Sequence, residues 1–330
     1  MAERSLKVPS LSPSVVSDSY PVMVVDAFNI VFANLQTKGF DLSFRGRPVS
    51  AIYGFYNTIR KRISKYNPKA VVVVWEGSHN KDRRRQVFPD YKKGRTQFTD
   101  EERDNLFWQV DIIRELCYYS GFNSISVPTY EADDVMHSLA LMAAEDLEYR
   151  TVVLSGDKDL YQVLRRNILI DRLNNGTMSS GKFRRKYGFG PDRWVDFKCV
   201  TKDSSDNLPG VKGVGPKTVG RILKKMSLAE FIIHGEPAGW REAKLKEEES
   251  LEVIAKMREV VDLSFTDTVD LRNAIARNLE VGRFSKGELG ILLSSYEMVS
   301  LEKELLSYAM RLAGLEGGVL KEQLEEHYAR

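Results

Sequence analysis

The residues best suited to chemistry lie in the stretch TYEADDVMH, where Glu131, Asp133 and Asp134 fall within four positions. Carboxylates this close together repel one another and cannot all ionise without a counter-charge. Apolar side chains follow at helical spacing, so we expect these acids to open a helix. A divalent cation held at the start of that helix would offset the repulsion.

Five short apolar runs, rich in β-branched residues, predict the strands of one sheet. They are PVMVV (21–25), AVVVVW (70–75), SISV (124–127), TVVLS (151–155) and NILI (167–170). Continuous apolar runs of this length are typical of strands buried on both faces. Longer stretches with helical patterning lie between them, at 48–66, 100–120 and 132–147. This alternation predicts an α/β fold with a mostly parallel central sheet flanked by helices.

Further acids fall where the predicted strands end. They are Asp26 after the first run, Glu76 after the second, and Asp157 and Asp159 after TVVLS. Because ligand sites of open parallel sheets lie outside the carboxyl ends of the strands, these acids should converge on one edge. Asp203 and Asp206, in KDSSDNLPG, could join them from the region that follows. A single Asp is more often a helix cap or a turn residue, and Asp133 and Asp203 could cap, but acids at several strand ends are hard to assign to capping.

Oxygen ligands without a His or Cys cluster nearby indicate Mg²⁺, for which Mn²⁺ can substitute. The four His show no HxxxH spacing and no CxxC is present, which argues against zinc. Two ions about 4 Å apart would clamp the attacking and leaving oxygens of a phosphoryl transfer.

Composition narrows the location of the protein. No apolar run reaches the roughly 18 residues that a membrane span needs. The two Cys stand far apart in the 330 residues, which favours a reducing compartment over a disulfide framework. Residues 1–20 lack a secretory h-region and, being rich in Ser, predict a flexible tail.

A local concentration of positive charge lies in KDRRRQVFPDYKKGR, residues 81–95. It carries seven Lys and Arg against two Asp, in a chain whose net charge is only +3. With Phe88 and Tyr91 interleaved, it suits a phosphate backbone with nearby bases, although a charge run alone is more often a solvated surface.

The stretch LPGVKGVGPKT (208–218) fails as a Walker A loop because Pro216 separates Gly215 from Lys217 and no strand precedes it. It fits a helix-hairpin-helix better, whose backbone N–H groups hold a phosphate without reading bases. A glycine-rich turn between helices with no ligand is an equal alternative.

In order and combination, these stretches resemble the 5′-nuclease family: the 5′→3′ exonuclease domain of bacterial DNA polymerase I, stand-alone phage 5′-nucleases and flap endonucleases. The resemblance spans about residues 22–270, through VMVVDAFNIVF, FPDYKKGR, VPTYEADDVMHSLA, VVLSGDKDLYQVL and PDRWVDFKCVTKDSSDNLPGVKGVGPKTVGRIL. It implies a PIN-like 5′-nuclease fold with a nuclease core at 21–190, which includes a helical arch at 80–110. A helical region would follow at 191–330, with the helix-hairpin-helix at 208–225.

The resemblance also implies roles for individual residues. The first carboxylate group, which would hold one metal ion, contains Asp26, Glu76, Glu131, Asp133 and Asp134. The second carboxylate group, which would hold a further metal ion so that two or more bind, contains Asp157, Asp159, Asp203 and Asp206. Lys92 and Arg84 would stabilise charge on the scissile phosphate. The implied DNA contacts are Arg83, Arg85, Tyr91, Lys93 and Arg95 in the arch, and Lys212, Gly213, Val214, Gly215, Lys217 and Thr218 in the hairpin, where K⁺ can also bind.

We therefore expect a Mg²⁺-dependent, structure-specific 5′ nuclease of DNA replication or repair, monomeric and cytoplasmic in a bacterium or a phage-infected cell. Its substrates would be 5′ flaps, nicks and duplex 5′ ends, with the RNA of RNA–DNA hybrids as a further class. Three residues depart from the family's pattern: Glu76 stands for the usual Asp, and Ala27 and Lys202 stand for Gly. The alternatives are a DNA-structure-binding protein with an impaired site and a PIN-type ribonuclease.

Overall fold

The structure is a computed structural model that describes residues 21–35, 42–94 and 98–328, with the backbone alone for residues 306–308. Its strands are β1 (Val22–Asp26), β2 (Ser43–Phe44), β3 (Arg47–Pro48), β4 (Ala70–Val74), β5 (Asn123–Ile125), β6 (Thr151–Leu154), β7 (Ile168–Asp171) and β8 (Thr177–Met178). Six of them form one sheet in the order β5-β4-β1-β6-β7-β8, while β2 and β3 pair separately. The sheet is parallel except where β8 pairs antiparallel with β7, which confirms the predicted fold class.

The central strand β1 shows why these runs are apolar throughout. Val22 and Val24 belong to one hydrophobic cluster and Met23 and Val25 to another, so both faces of the strand are covered. β1 pairs along its length with β4 and β6, and its last residue, Asp26, lies level with Val74. The register thus brings the carboxyl ends of neighbouring strands to one edge.

Helices cover both faces of this sheet. Within the described ranges they are α1 (Ala27–Leu35), α2 (Ser50–Tyr66), α3 (Asp82–Val87), α4 (Asp100–Tyr119), α5 (Ala132–Leu141), α6 (Ser180–Tyr187), α7 (Trp194–Val200), α8 (Pro216–Leu223), α9 (Leu228–His234), α10 (Trp240–Ala243), α11 (Glu248–Val261), α12 (Val269–Asn278), α13 (Lys286–Ser295), α14 (Val299–Ala313) and α15 (Gly317–Tyr328). A π-helical turn at Met142–Asp146 extends α5, in agreement with the predicted stretch 132–147. None of the helices described here is both long and apolar enough to span a membrane.

The two hydrophobic clusters divide the helices between the faces. One face carries α1, α2, α4, α13 and α14, and the other carries α5, α7, α8, α11, α12 and α15. Each cluster therefore draws residues from both sides of position 190. The division into a core at 21–190 and a helical region at 191–330 stays a prediction, as does the tail at 1–20, which lies outside the described residues.

The segment predicted as an arch, 80–110, contains the short helix α3, a series of turns and the first half of α4. Its turns are tied to the loop after α7: the Lys92 backbone N–H donates to the Asp206 carbonyl (3.0 Å), and Asn207 Nδ2 donates to the Asp90 carbonyl (2.9 Å). α4 begins at a capping box made by Thr99 and Glu102. Residues 95–97, and with them the predicted DNA contact Arg95, lie outside the described residues.

Candidate active site

Four carboxylates face one another at the carboxyl edge of the sheet. Asp26 ends β1, Glu76 follows β4, Asp157 follows β6, and Asp133 is the second residue of α5. We call these four residues the central carboxylates. Three of them belong to the first predicted carboxylate group and Asp157 belongs to the second. The charge of Asp157 raises the pKa of Asp26 and of Asp133, as well as that of its neighbour Asp159.

Asp26 is buried and is oriented by two hydrogen bonds. Its carboxylate accepts from the Asn29 backbone N–H at 3.0 Å and from Ser155 Oγ at 2.7 Å. Burial raises the pKa of Asp26 to about 7; these two hydrogen bonds oppose the rise, and the charges of Asp157 and Glu76 add to it. Ser155 is a site residue that sequence reasoning missed, since a Ser after a strand has no distinctive signal.

Asp133 and Glu76 meet at the start of α5. The Ala132 backbone N–H donates to Glu76 Oε2 at 3.0 Å, so Glu76 lies at the helix N-terminus, where a negative charge is favoured. Burial raises the pKa of Asp133 well above its ordinary value, and Asp157 and Asp26 raise it further. No central carboxylate forms an ion pair with Lys or Arg in the part of the chain that the structure describes. The negative charges of these four carboxylates are therefore not neutralised by a paired basic side chain, and a bound cation would neutralise them.

Asp134 has a different environment from Asp133. Arg84 donates two hydrogen bonds to its carboxylate, at 2.8 and 2.7 Å, and a third from Nε to the Val260 carbonyl at 2.9 Å. Burial alone would raise the pKa of Asp134, but Arg84 outweighs it and holds this pKa below the ordinary value. In this placement Arg84 neutralises Asp134 in the interior, and the expected roles of Asp134 at the metal ion and of Arg84 at the scissile phosphate stay predictions.

Glu131 is held by the arch segment. Its Oε2 accepts from Lys92 Nζ at 2.6 Å and from the Tyr91 hydroxyl at 3.1 Å, while its Oε1 is buried without a hydrogen-bond partner. Tyr91 is only 3% exposed, so its ring is not accessible to DNA in the structure. Lys92, in contrast, lies at the same edge of the sheet as the central carboxylates. Its positive charge lowers the pKa of Asp133 and so opposes the rise that burial causes.

The second carboxylate group contains a lysine that sequence reasoning missed. Lys198 Nζ lies 2.6 Å from Asp159 Oδ1 and 2.5 Å from Asp203 Oδ2, and the Lys198 side chain is 10% exposed. Asp203 is positioned by paired backbone hydrogen bonds with Leu208, which also fold the loop that carries Asp206. Lys202, which stands for the family's usual Gly before Asp203, is exposed.

The predicted hairpin connects α7 to α8. Gly213 has φ +84°, a conformation that favours glycine, and Gly215 caps α8 at its N-terminus. Val214 and Thr218 are buried and position the turn, whereas the predicted contacts Lys212 and Lys217 are exposed. The hairpin thus presents two lysines to solvent, whereas the Val214 and Thr218 backbone N–H groups donate within the turn, to the Val211 and Gly215 carbonyls.

A groove of about 630 Å³ joins the second carboxylate group to this hairpin. Its lining includes Asp157, Asp203 and the first residue of α8, Pro216, with Lys158 and Lys202 exposed along it. Of the predicted arch contacts, Arg85 and Lys93 are exposed, while Arg83 is half-buried and donates to the Glu259 carbonyl at 3.3 Å.

The oxygen donors at this edge suit a hydrated metal ion better than one held by protein ligands alone. No three His, Cys, Asp or Glu side chains among the described residues are gathered closely enough to coordinate an ion by themselves. Mg²⁺ does not require that, because it keeps several waters and is usually held by one or two carboxylates together with substrate phosphates. The central carboxylates fit such a hydrated ion: all their donors are oxygen, and burial together with the neighbouring acids raises the pKa of Asp26 and of Asp133, which a bound cation would oppose.

Comparison with known proteins gives concordant results. Residues 21–188 match the family described as "5'-3' exonuclease, N-terminal resolvase-like domain". A 5'-3' exonuclease of Aquifex aeolicus is 32% identical over 262 residues, which cover 79% of this chain and 86% of that protein. The thermostable DNA polymerase I of Thermus thermophilus is 35% identical over 213 residues, 64% of this chain, and the chain spans only 25% of that polymerase's length.

Solved structures share the fold at lower identity. The 5'-exonuclease of bacteriophage T5, determined with bound zinc ions, has a TM-score of 0.63 and 20% identity, covering 84% of this chain and 99% of the phage protein. The catalytic core of Rad2, determined in complex with a DNA substrate, has a TM-score of 0.52 and 15% identity, covering 90% and 93%.

Proposed function

The chain belongs to the 5′–3′ exonuclease family, and we propose that it acts as a Mg²⁺-dependent, structure-specific 5′ nuclease that hydrolyses phosphodiester bonds of DNA in replication or repair. The observation that carries the proposal is the meeting of Asp26, Glu76, Asp133 and Asp157 at one edge of the sheet without a lysine or arginine partner among the described residues. The metal-bound phage relative and the DNA-bound Rad2 core support it.

The central carboxylates would hold the ion, with Mn²⁺ able to replace Mg²⁺. When bound there, the ion would supply a more acidic water and stabilise charge on the phosphodiester. Ser155 and Asn29 fix the orientation of Asp26, and Ala132 fixes that of Glu76, so these carboxylates are preorganised. Lys92 places a fixed ammonium at the same edge, where it stabilises negative charge on a phosphate oxygen.

The rest of the DNA would follow the groove and the hairpin. Lys158 and Lys202 line the groove, and the exposed Lys212 and Lys217 lie at the hairpin, where a K⁺ ion would also find carbonyl oxygens. These lysines would contact the phosphate backbone of the DNA and not the base edges, so binding would depend on DNA structure and on salt concentration. The substrates that we propose are 5′ flaps, nicks and duplex 5′ ends, with the RNA of RNA–DNA hybrids as a further class, cleaved by a monomer in the cytoplasm to leave 5′-phosphates.

The test is cleavage of a duplex with a short 5′ flap, labelled at its 5′ end, in Mg²⁺ and in EDTA. A Mg²⁺-dependent product of flap length, or one nucleotide longer, is expected from the wild type, and Asp133→Asn serves as the inactive control. Mononucleotides alone would assign the protein mainly to exonuclease action. Binding without cleavage in either Mg²⁺ or Mn²⁺ would contradict the proposal and favour a DNA-structure-binding protein. Faster cleavage of single-stranded RNA would favour a PIN-type ribonuclease.

A further inference from the structure

The second carboxylate group already contains a cation that belongs to the chain. Lys198 Nζ forms ion pairs with Asp159 at 2.6 Å and with Asp203 at 2.5 Å, so the two carboxylate oxygens lie no more than about 5 Å apart with the ammonium between them. An ion that bridged this pair of acids through these facing oxygens would have to bind the same two atoms as the ammonium. The ammonium therefore occupies the position that a second divalent ion would need.

The position of Lys198 is set by the packing of α7. Its neighbours Cys199 and Val200 are buried, and Phe197 stacks on Trp194 with ring centroids 5.0 Å apart. The helix is also anchored by Asp196, whose carboxylate pairs with Arg258 and accepts from the Leu228 backbone N–H. Lys198 itself is only 8% exposed, so its ammonium lies at the wall of the groove described above and points to the two carboxylates.

We propose that the Lys198 ammonium substitutes for a second divalent ion, so that this chain binds its catalytic ion at the central carboxylates and none between Asp159 and Asp203. A lysine ammonium offers three donors and a single charge, which are enough to satisfy two carboxylates that would otherwise repel each other. A divalent ion beside it would meet electrostatic repulsion and would have to displace a buried ammonium. The inference rests on the metal dependence proposed above.

The number of bound ions tests this inference directly. Mn²⁺ is titrated into the full chain, and free Mn²⁺ is measured by electron paramagnetic resonance. We expect Lys198→Met to bind one more ion per chain than the wild type, and the added Asp203→Asn substitution to remove that ion again. In the wild-type background Asp203→Asn leaves the count unchanged. Lys202→Met, which removes an exposed lysine four residues away, is the matched control and also leaves it unchanged.

A second measurement guards against a variant that folds poorly. Without metal, Lys198→Met leaves Asp159 and Asp203 without their cation, so its thermal midpoint in EDTA should fall below that of the wild type and rise more steeply on addition of Mn²⁺. A wild type that loses an ion when Asp203 is replaced by Asn would overturn the inference, as would an unchanged count in a folded Lys198→Met variant.

The two proposals fail in distinguishable ways. Wild-type protein that cleaves the flap and binds an ion through Asp203 refutes the role of Lys198 alone. Wild-type protein that neither binds Mn²⁺ nor cleaves in its presence refutes the proposed function and the inference together. Cleavage with an ion count that only Lys198→Met increases supports both.

Discussion

Replacement of Arg84 by Met separates a structural role of this arginine from the phosphate contact that the sequence predicts. Methionine keeps much of the length of the side chain but removes the guanidinium, which donates to Asp134 at 2.8 and 2.7 Å and to the Val260 carbonyl at 2.9 Å. The two charged side chains are 4% and 2% exposed, so Asp134 would be left as a buried charge without a counter-charge.

The size of the effect follows from this burial. Removing one partner of a buried ion pair costs about 3–5 kcal/mol, because the other charge stays desolvated. The neighbouring Arg85 lies on the same helix but is exposed, and its replacement by Met should change the free energy of unfolding by less than about 0.5 kcal/mol. Both variants make the same chemical change, Arg to Met, but at a buried position in Arg84→Met and at an exposed position in Arg85→Met.

The pH dependence gives a second signature. In the wild type Arg84 holds the pKa of Asp134 below its unfolded value, so this pair contributes stability that is present above that value and is lost as the pH falls through the folded pKa. In Arg84→Met only the hydrogen bonds from Thr266 and from the Glu131 backbone N–H still oppose burial, so we expect the pKa of Asp134 to rise and its ionisation to oppose folding. The deficit of the variant should therefore be largest at neutral pH and shrink toward pH 4.

The assay is urea unfolding of the full chain, followed by circular dichroism at pH 7.5 and pH 5, with cleavage of the labelled flap measured in parallel. Arg84→Met combined with Asp134→Asn should recover much of the lost stability, since no unpaired charge remains buried. An Arg84→Met variant as stable as the wild type but inactive on the flap would refute this reasoning and restore the phosphate contact.

Three further predictions concern the site, the hairpin and the interior. Asp133→Ala should abolish flap cleavage and leave DNA affinity nearly unchanged; an unchanged cleavage rate would remove Asp133 from the ion site. Lys212→Ala and Lys217→Ala should each lower the slope of log affinity against log salt concentration by about 1, and unaltered slopes would exclude phosphate contacts there. Burial lowers the pKa of His137 to about 4, below its unfolded value of 6.5, so stability is full above pH 6.5 and falls by about 3 kcal/mol toward pH 4. His137→Gln should flatten this loss in urea unfolding measured at pH 7 and pH 4.5, and an equal loss in both proteins would assign it to other groups.

The edge of the sheet was predictable because its signals are local. An apolar run followed by an acid predicts a strand with a carboxylate at its end, and parallel topology then brings Asp26, Glu76 and Asp157 together without knowledge of side-chain contacts. Ala27, which stands for the family's usual Gly, is the first residue of α1 and has no positive φ, so the Ala side chain is tolerated there.

The ion pairs were not predictable because their partners are distant along the chain. Arg84 and Lys92 stand in a basic stretch that indicates nucleic acid. Only the packing of α3 and of the turns after it shows that Arg84 points inward to Asp134 and Lys92 to Glu131. The sequence contains one weak indication that Lys198 is buried, because it is a charged residue among the apolar positions of WVDFKCV. A lysine at such a position more often extends along the surface to reach water, so the pattern alone does not indicate an internal cation.

The packing of the last helices has a consequence for how the protein is synthesised. Leu320 and Leu324 of α15 are fully buried in the cluster that covers one face of the first strands, and the Glu316 backbone N–H donates to the Lys69 carbonyl. Contacts between residues this far apart give the fold a high contact order, and they cannot form until translation has passed residue 324. At roughly 5–20 residues per second, the ribosome takes about 7 to 30 seconds to extend the chain from the end of β8 to residue 324. During that interval one face of the sheet lacks its final cover, which makes the nascent chain a natural client for chaperones that bind exposed apolar surface.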